Sequence, residues 1–168
     1  MNMNPSRAAV VRLFSASLVT AAFCYSGMSN AQSLYDDLGG QPAIECWIDT
    51  GLEVITGDDR INDFFAGELN AGQAEDLRTS LVNFACAATG GPCVYVGRDM
   101  SCAHGGLSID HHSFSAFLED LEEAAVQCRR GNSGYMGDPA YSQLNKVLLS
   151  LRAVVVQDDP GENPGACP

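Results

Sequence analysis

The chain has 168 residues, 46% of them hydrophobic, and sets 21 acidic residues against nine basic ones for a net charge of −12. That length and apolar content fit one compact domain. The acidic excess repels phosphate backbones and argues against nucleic acid as a partner.

Residues 1–31 read as a secretory signal peptide. Arg7 and Arg12 flank the start of an apolar run from Leu13 to Tyr25, and Ser29-Asn30-Ala31 places small residues where a signal peptidase cuts. The run is short for a transmembrane helix, although an uncleaved anchor is the competing reading. Bulky Phe23 before Cys24 argues against a lipid-modified cysteine. Cleavage after Ala31 leaves seven basic residues and all 21 acidic ones, a charge of −14. The expectation is an exported protein, periplasmic or secreted, with no stable membrane insertion once the leader is gone. Six of the seven cysteines then remain: Cys46, Cys86, Cys93, Cys102, Cys128 and Cys167. An even number in an exported chain points to disulfides, with 15 pairings open. Cys93 and Cys102 are close enough to close a small loop.

The spacing of apolar residues after position 32 is helical. Gln41-Pro42 opens a helix with Ile44, Ile48, Leu52 and Ile55 along one face, ended by Thr56-Gly57. A connector runs to Phe64-Phe65. From about Ala71 a second helix carries the stripe Ala74, Leu77, Leu81, Phe84 and Ala88 until Gly90-Gly91-Pro92 stops it. Residues 93–103 read as a loop entering a short helix that ends at Gly105-Gly106. Asp110 caps the next helix, whose inner face is Phe114, Leu118, Leu121, Ala125 and Cys128. Gly131 to Gly137 is a polar turn. Pro139 opens a last helix with Leu144, Leu148, Leu151 and Val155 inward. Residues 158–168 are rich in proline and glycine and read as a disordered tail. The domain is therefore 32–157 and all-α.

One ordered string is more specific than this outline. Ser33-Leu34-Tyr35-Asp36-Asp37-Leu38-Gly39-Gly40 precedes Pro42-Ala43-Ile44-Glu45, and Phe64-Phe65 follows. Gly90-Gly91-Pro92 leads through Tyr95 to Gly97-Arg98-Asp99-Met100. Then come Ala103-His104-Gly105-Gly106-Leu107, Ile109 and Phe114. This string resembles the group I truncated haemoglobins, small globins built as a two-over-two helical sandwich around haem. The resemblance runs in detail from about Leu34 to Phe117. It implies a b-type haem whose iron is ligated by His104, the position of the family's proximal histidine. A neutral imidazole nitrogen suits that task, and haem needs a deep apolar slot around it. Phe65 matches the phenylalanine that packs on the haem, and Met100, Ile109 and Phe114 match other pocket positions. Arg78 and Arg98 are the candidates for the haem propionates. His111 and His112 read as capping or surface residues. A zinc site from Cys93, Cys102, His104, His111 and His112 is disfavoured, because structural zinc sites show tighter paired spacings.

The chain departs from the family on the distal side. Leu52 falls where group I members commonly place a tyrosine that hydrogen-bonds the gas ligand, and Gly51 replaces a phenylalanine beside it. Leu81, with Leu77 one turn earlier, falls where a glutamine is common. About four extra residues between Phe65 and that helix could shift the register. The resemblance thus implies an apolar distal wall, with a gap above the iron at Gly51 unless Trp47 or another side chain fills it. Reversible binding or transport of oxygen, nitric oxide or carbon monoxide follows as the expected function, with the reductant unknown, and turnover is the lesser expectation. Two alternatives stand beside it. One is a globin-fold module that has lost haem and serves a structural or interaction role. The other is a haem enzyme consuming nitric oxide or peroxide, although peroxide cleavage wants a polar distal acid–base group that this stripe lacks.

Overall fold

The computed structural model describes residues 32–65, 71–132 and 134–157. The leader and tail expectations fall on 1–31 and 158–168, outside the described residues. Every regular element among the described residues is helical.

Helix α1 (Leu34–Leu38) is only five residues long and is held by a capping box. The Ser33 hydroxyl accepts from the Asp36 backbone N–H at 3.2 Å while the Asp36 carboxylate reaches back to Ser33. Gly39, at φ +109°, turns the chain into α2, and a Cβ there would sit 2.9 Å from the Tyr135 ring. Helix α2 (Gly40–Gly57) buries Ala43, Ile44, Trp47, Ile48, Gly51 and Ile55. A 3₁₀ turn over Asn62–Phe64 follows.

Helix α3 spans Ala71–Ala88. Its fully buried residues are Val82, Ala85 and Cys86, whereas Leu77, Leu81 and Phe84 of the expected stripe are half-buried and border a cavity, Leu81 also packing against the core. Helix α4 (Met100–His104) is a single turn capped by Asp99, whose carboxylate accepts from the Cys102 N–H at 2.9 Å. Asp110 caps α5 (His111–Gly131) by accepting from the Ser113 N–H at 2.7 Å, and that bond holds the Asp110 carboxyl below its usual range. The last helix divides. Pro139 opens α6 (Asp138–Ser150), the chain kinks at Leu151, and α7 (Arg152–Val155) continues.

The α2–α3 pair lies against the α5–α6 pair, with α2 on α5 as the most extensive contact. Gly51 explains how close that crossing is. A Cβ on it would sit 3.1 Å from Leu121 Cδ2, so its missing side chain admits α5 rather than opening a gap, which corrects the expectation of free space there. The Cys46–Cys128 disulfide joins the same two helices. A second bridge pairs Cys93 with Cys86, not with Cys102 as their nearness in sequence allowed, because the Gly90-Gly91-Pro92 turn folds Cys93 back onto the end of α3. Cys102 is also disulfide-bonded. Neither Cys93 nor Cys102 is therefore a free thiolate for zinc, and no cluster of metal-ligating side chains is found among the described residues. No described helix is long and apolar enough to cross a membrane.

Candidate functional site

The two helical layers enclose a cavity of about 720 Å³. Helix α2 contributes Trp47, Ile48, Leu52 and Ile55, and α3 contributes Leu77, Leu81, Phe84 and Ala88. Met100 and His104 enter from α4, and Phe114, Phe117 and Leu118 come from α5. All eight residues singled out from the sequence, His104, Phe65, Leu52, Leu77, Leu81, Met100, Ile109 and Phe114, border this one space. Phe65 stacks on Phe117 with 6.4 Å between ring centroids and 9° between planes. Beneath α4, Ile109, Phe114 and Val155 form a small core of their own, with Met100 and Leu118 packed against it.

The polar atoms of the cavity are few, and most are committed elsewhere. The Trp47 indole N–H donates to the Leu121 carbonyl at 2.9 Å. The Tyr95 hydroxyl donates to the Arg98 carbonyl at 2.8 Å, curling the ring over Gly97, where a Cβ would come within 2.3 Å of the hydroxyl oxygen. Tyr95 also meets Phe84 edge-on at 5.2 Å. Ser113 gives its backbone N–H to the Asp110 carboxylate. Ser80 and Arg98 are exposed at the rim.

His104 is different. Its Nδ1 lies 2.8 Å from the Met100 carbonyl, which can only accept, so Nδ1 carries the ring proton. The lone pair is then on Nε2, and the ring is held in one orientation. This is the arrangement that a metal-ligating histidine needs: one nitrogen anchored on the backbone, the other available as donor to the metal. An apolar slot with a single oriented imidazole fits haem, both in size and in donor chemistry.

The two arginines considered for propionates separate. Arg78 makes a two-nitrogen contact with Asp49 on α2, at 2.5 and 2.8 Å, and this pairing raises the guanidinium pKa. Arg98 forms no ion pair among the described residues and borders the cavity. Apart from the cavity, a charged knot that sequence reading missed lies where the α2 connector meets α5. Arg60 clasps Asp58 at 2.7 Å and Glu119 at 2.6 Å, and its NH2 nitrogen is 3.7 Å from Asp120.

The comparisons with known proteins agree with this architecture. The family model described as bacterial-like globin matches residues 33–133. The group 1 truncated haemoglobin of Nostoc sp. is 39% identical over 92 residues, covering 55% of this chain and 75% of that protein. That of Tetrahymena thermophila is 31% identical over 97 residues, covering 56% and 74%. Among solved structures, the truncated haemoglobin of Tetrahymena pyriformis in its Fe(III) form superposes with a TM-score of 0.65 at 23% identity, over 76% of this chain and all of that one. The 2/2 haemoglobin of Synechococcus sp., in the cyanomet state and with covalently attached haem, gives 0.60 at 22% identity, over 73% and 95%. The chain therefore belongs to the bacterial-like globin family and, within it, to the group 1 truncated haemoglobins.

Proposed function

We propose that this chain is an exported haem protein that binds a diatomic gas reversibly at an iron held by His104. The observation that carries the reading is the anchored His104 ring, the one cavity imidazole, whose Nε2 is left as a donor. The Fe(III) and haem-bearing states of the Tetrahymena pyriformis and Synechococcus relatives support the same cofactor here. Haem, when bound, supplies an iron with a coordination position for the gas. The chain's own residues do the rest. Phe65, Met100, Ile109 and Phe114, which border the cavity, would enclose the ring system and exclude water, and Arg98 at the rim would pair with a propionate. Leu52, Leu77 and Leu81 shape the opposite wall.

Among the described residues that wall is aliphatic at Leu52, Leu77 and Leu81, with the Ser80 hydroxyl only at the exposed rim. A bond to a ligand bearing partial charge is worth about 1.5–3 kcal/mol, so its absence favours fast oxygen release and weak discrimination against carbon monoxide. Among the described residues the wall offers no acid–base group for peroxide cleavage either, which supports binding over turnover. Export is supported by the Cys46–Cys128 and Cys86–Cys93 bridges, since structural disulfides persist in oxidising compartments.

The test is reconstitution with hemin followed by absorbance spectroscopy. A Soret band in the wild type that His104→Ala abolishes is the expected result. Failure of the folded wild type to take up hemin overturns the proposal.

A further inference from the structure

Helix α4 is one turn long, and a helix that short does not hold itself together, since nucleation is unfavourable and few hydrogen bonds repay it. Its position must come from outside, and it packs chiefly on α7. The last described residue after α7 makes the decisive contacts. The Gln157 carboxamide nitrogen donates to the backbone carbonyl of His104 at 2.8 Å, and its oxygen accepts from the Ser108 N–H at 3.0 Å. The Gln157 backbone N–H donates to the Ile109 carbonyl at 2.9 Å. One side chain thus bridges both ends of the turn that follows His104. That turn needs a brace. Gly106 sits at φ +80° and Ser108 at φ +55°, a left-handed conformation that a non-glycine residue adopts at a cost.

We infer that Gln157 is a positioning residue for the His104 imidazole, acting through the backbone of the 104–108 turn; this rests on the reading of His104 as the haem ligand. The carboxamide is suited to it because it donates and accepts at once, matching a carbonyl and an N–H a few residues apart. No carboxylate, and no aliphatic side chain, satisfies both groups. With α7 in place, the end of α4 is fixed. The Met100 carbonyl and the His104 ring that bonds to it then share one frame. Partners that orient a metal-binding histidine typically change metal affinity by 10–100-fold when removed.

The test compares the full chain with Gln157→Leu and Gln157→Glu, each loaded with hemin. Gln157→Leu should release haem to excess apomyoglobin about tenfold faster. Its ferrous iron–histidine stretching band should shift and broaden, a readout that a loss of general stability would not move. Gln157→Glu keeps the acceptor for Ser108 and sets a charge against the His104 carbonyl, so it should fail to rescue the band, and it serves if the leucine variant does not fold. An unshifted band with unchanged haem release overturns the inference. So does faster hydrogen exchange at the Ser108 amide with an unshifted band, because the clamp would then hold only the turn. If the wild type takes up no hemin, the haem proposal fails by itself, and the inference is decided in the haem-free proteins by the 15N signals of the His104 ring. A single Nδ1–H tautomer that becomes mixed in Gln157→Leu supports positioning, and an identical ring signal in both overturns it.

Discussion

Trp47 on α2 spends its indole N–H on the carbonyl of Leu121 on α5, 2.9 Å away and buried. The one tryptophan of the chain therefore braces the crossing of the two main helices and offers nothing to a ligand in the cavity. With Leu52 also aliphatic, the α2 wall is apolar. Leu52→Tyr, which places a phenol on that wall, should slow oxygen release roughly ten- to hundredfold, the equivalent of about 1.5–3 kcal/mol. Carbon monoxide release should change much less. Stopped-flow displacement measures both, and equal effects on the two gases would show that the phenol acts by crowding alone.

The two arginines should behave differently. Arg98→Ala should speed haem loss about fivefold, the effect of an exposed ion pair of about 1 kcal/mol. Arg78→Ala should leave haem loss unchanged, because its guanidinium is held by Asp49. Haem transfer to apomyoglobin at low and high salt checks this, and the Arg98 effect should shrink as salt rises.

Asp120 makes stability depend on pH. It is only 6% exposed, and its Oδ2 meets no donor unless a proton is shared with Asp58. Burial pushes the Asp120 carboxyl above the usual range, the Asp58 charge pushes the same way, and Arg60 opposes both. A carboxyl whose folded pKa is raised supports the fold while protonated, and that support fades as pH climbs through the raised value. Asp58, held low by Arg60, contributes in the other direction and loses its contribution as pH falls. Asp120→Asn supplies a permanent N–H for Asp58. It should therefore stabilise by about 1 kcal/mol at neutral pH, and the gain should vanish in acid, where the wild-type group is protonated. Thermal melts across pH test it, and a gain that stays constant into acid would contradict it.

The two described disulfides should differ in strength. Cys46–Cys128 closes a loop with a sequence separation of 82, worth about 4–5 kcal/mol in the chain-entropy view. Cys86–Cys93, with a separation of 7, is worth about 2–3 kcal/mol. Cys46→Ser/Cys128→Ser should lower the denaturation midpoint clearly more than Cys86→Ser/Cys93→Ser, measured by denaturant titration of the oxidised proteins.

Much of the fold could be read ahead of the structure, for reasons specific to each segment. The caps at Asp110 and Pro139 act locally, so their chemistry is visible in a few residues. The face formed by Leu77, Leu81, Phe84 and Ala88 was visible as a stripe, but periodicity alone does not say whether a stripe meets protein or a cavity. Helix α1 is too short to show a period, and only its Ser33–Asp36 capping box announces it. The break at Leu151 has no glycine or proline to mark it. Asp120 looks like one more solvated acid beside Glu119, since Arg60 lies 60 positions earlier in the chain and meets it only in space. The cysteine partners were hidden for the same reason. His104 stands out through its neighbours in the sequence, whereas Gln157, whose carboxamide donates to the His104 carbonyl, arrives from the far end of the domain.

The Cys46–Cys128 bridge also bears on how the cofactor arrives. The two helices that carry much of the cavity wall are covalently tied whatever lies between them. Under the proposed function, haem uptake would then not have to assemble the scaffold around itself. On the proposed function it would become an entry problem, past Phe64 and Val96, which are exposed and border the cavity. A chain stapled in this way would keep those two walls joined with or without a cofactor.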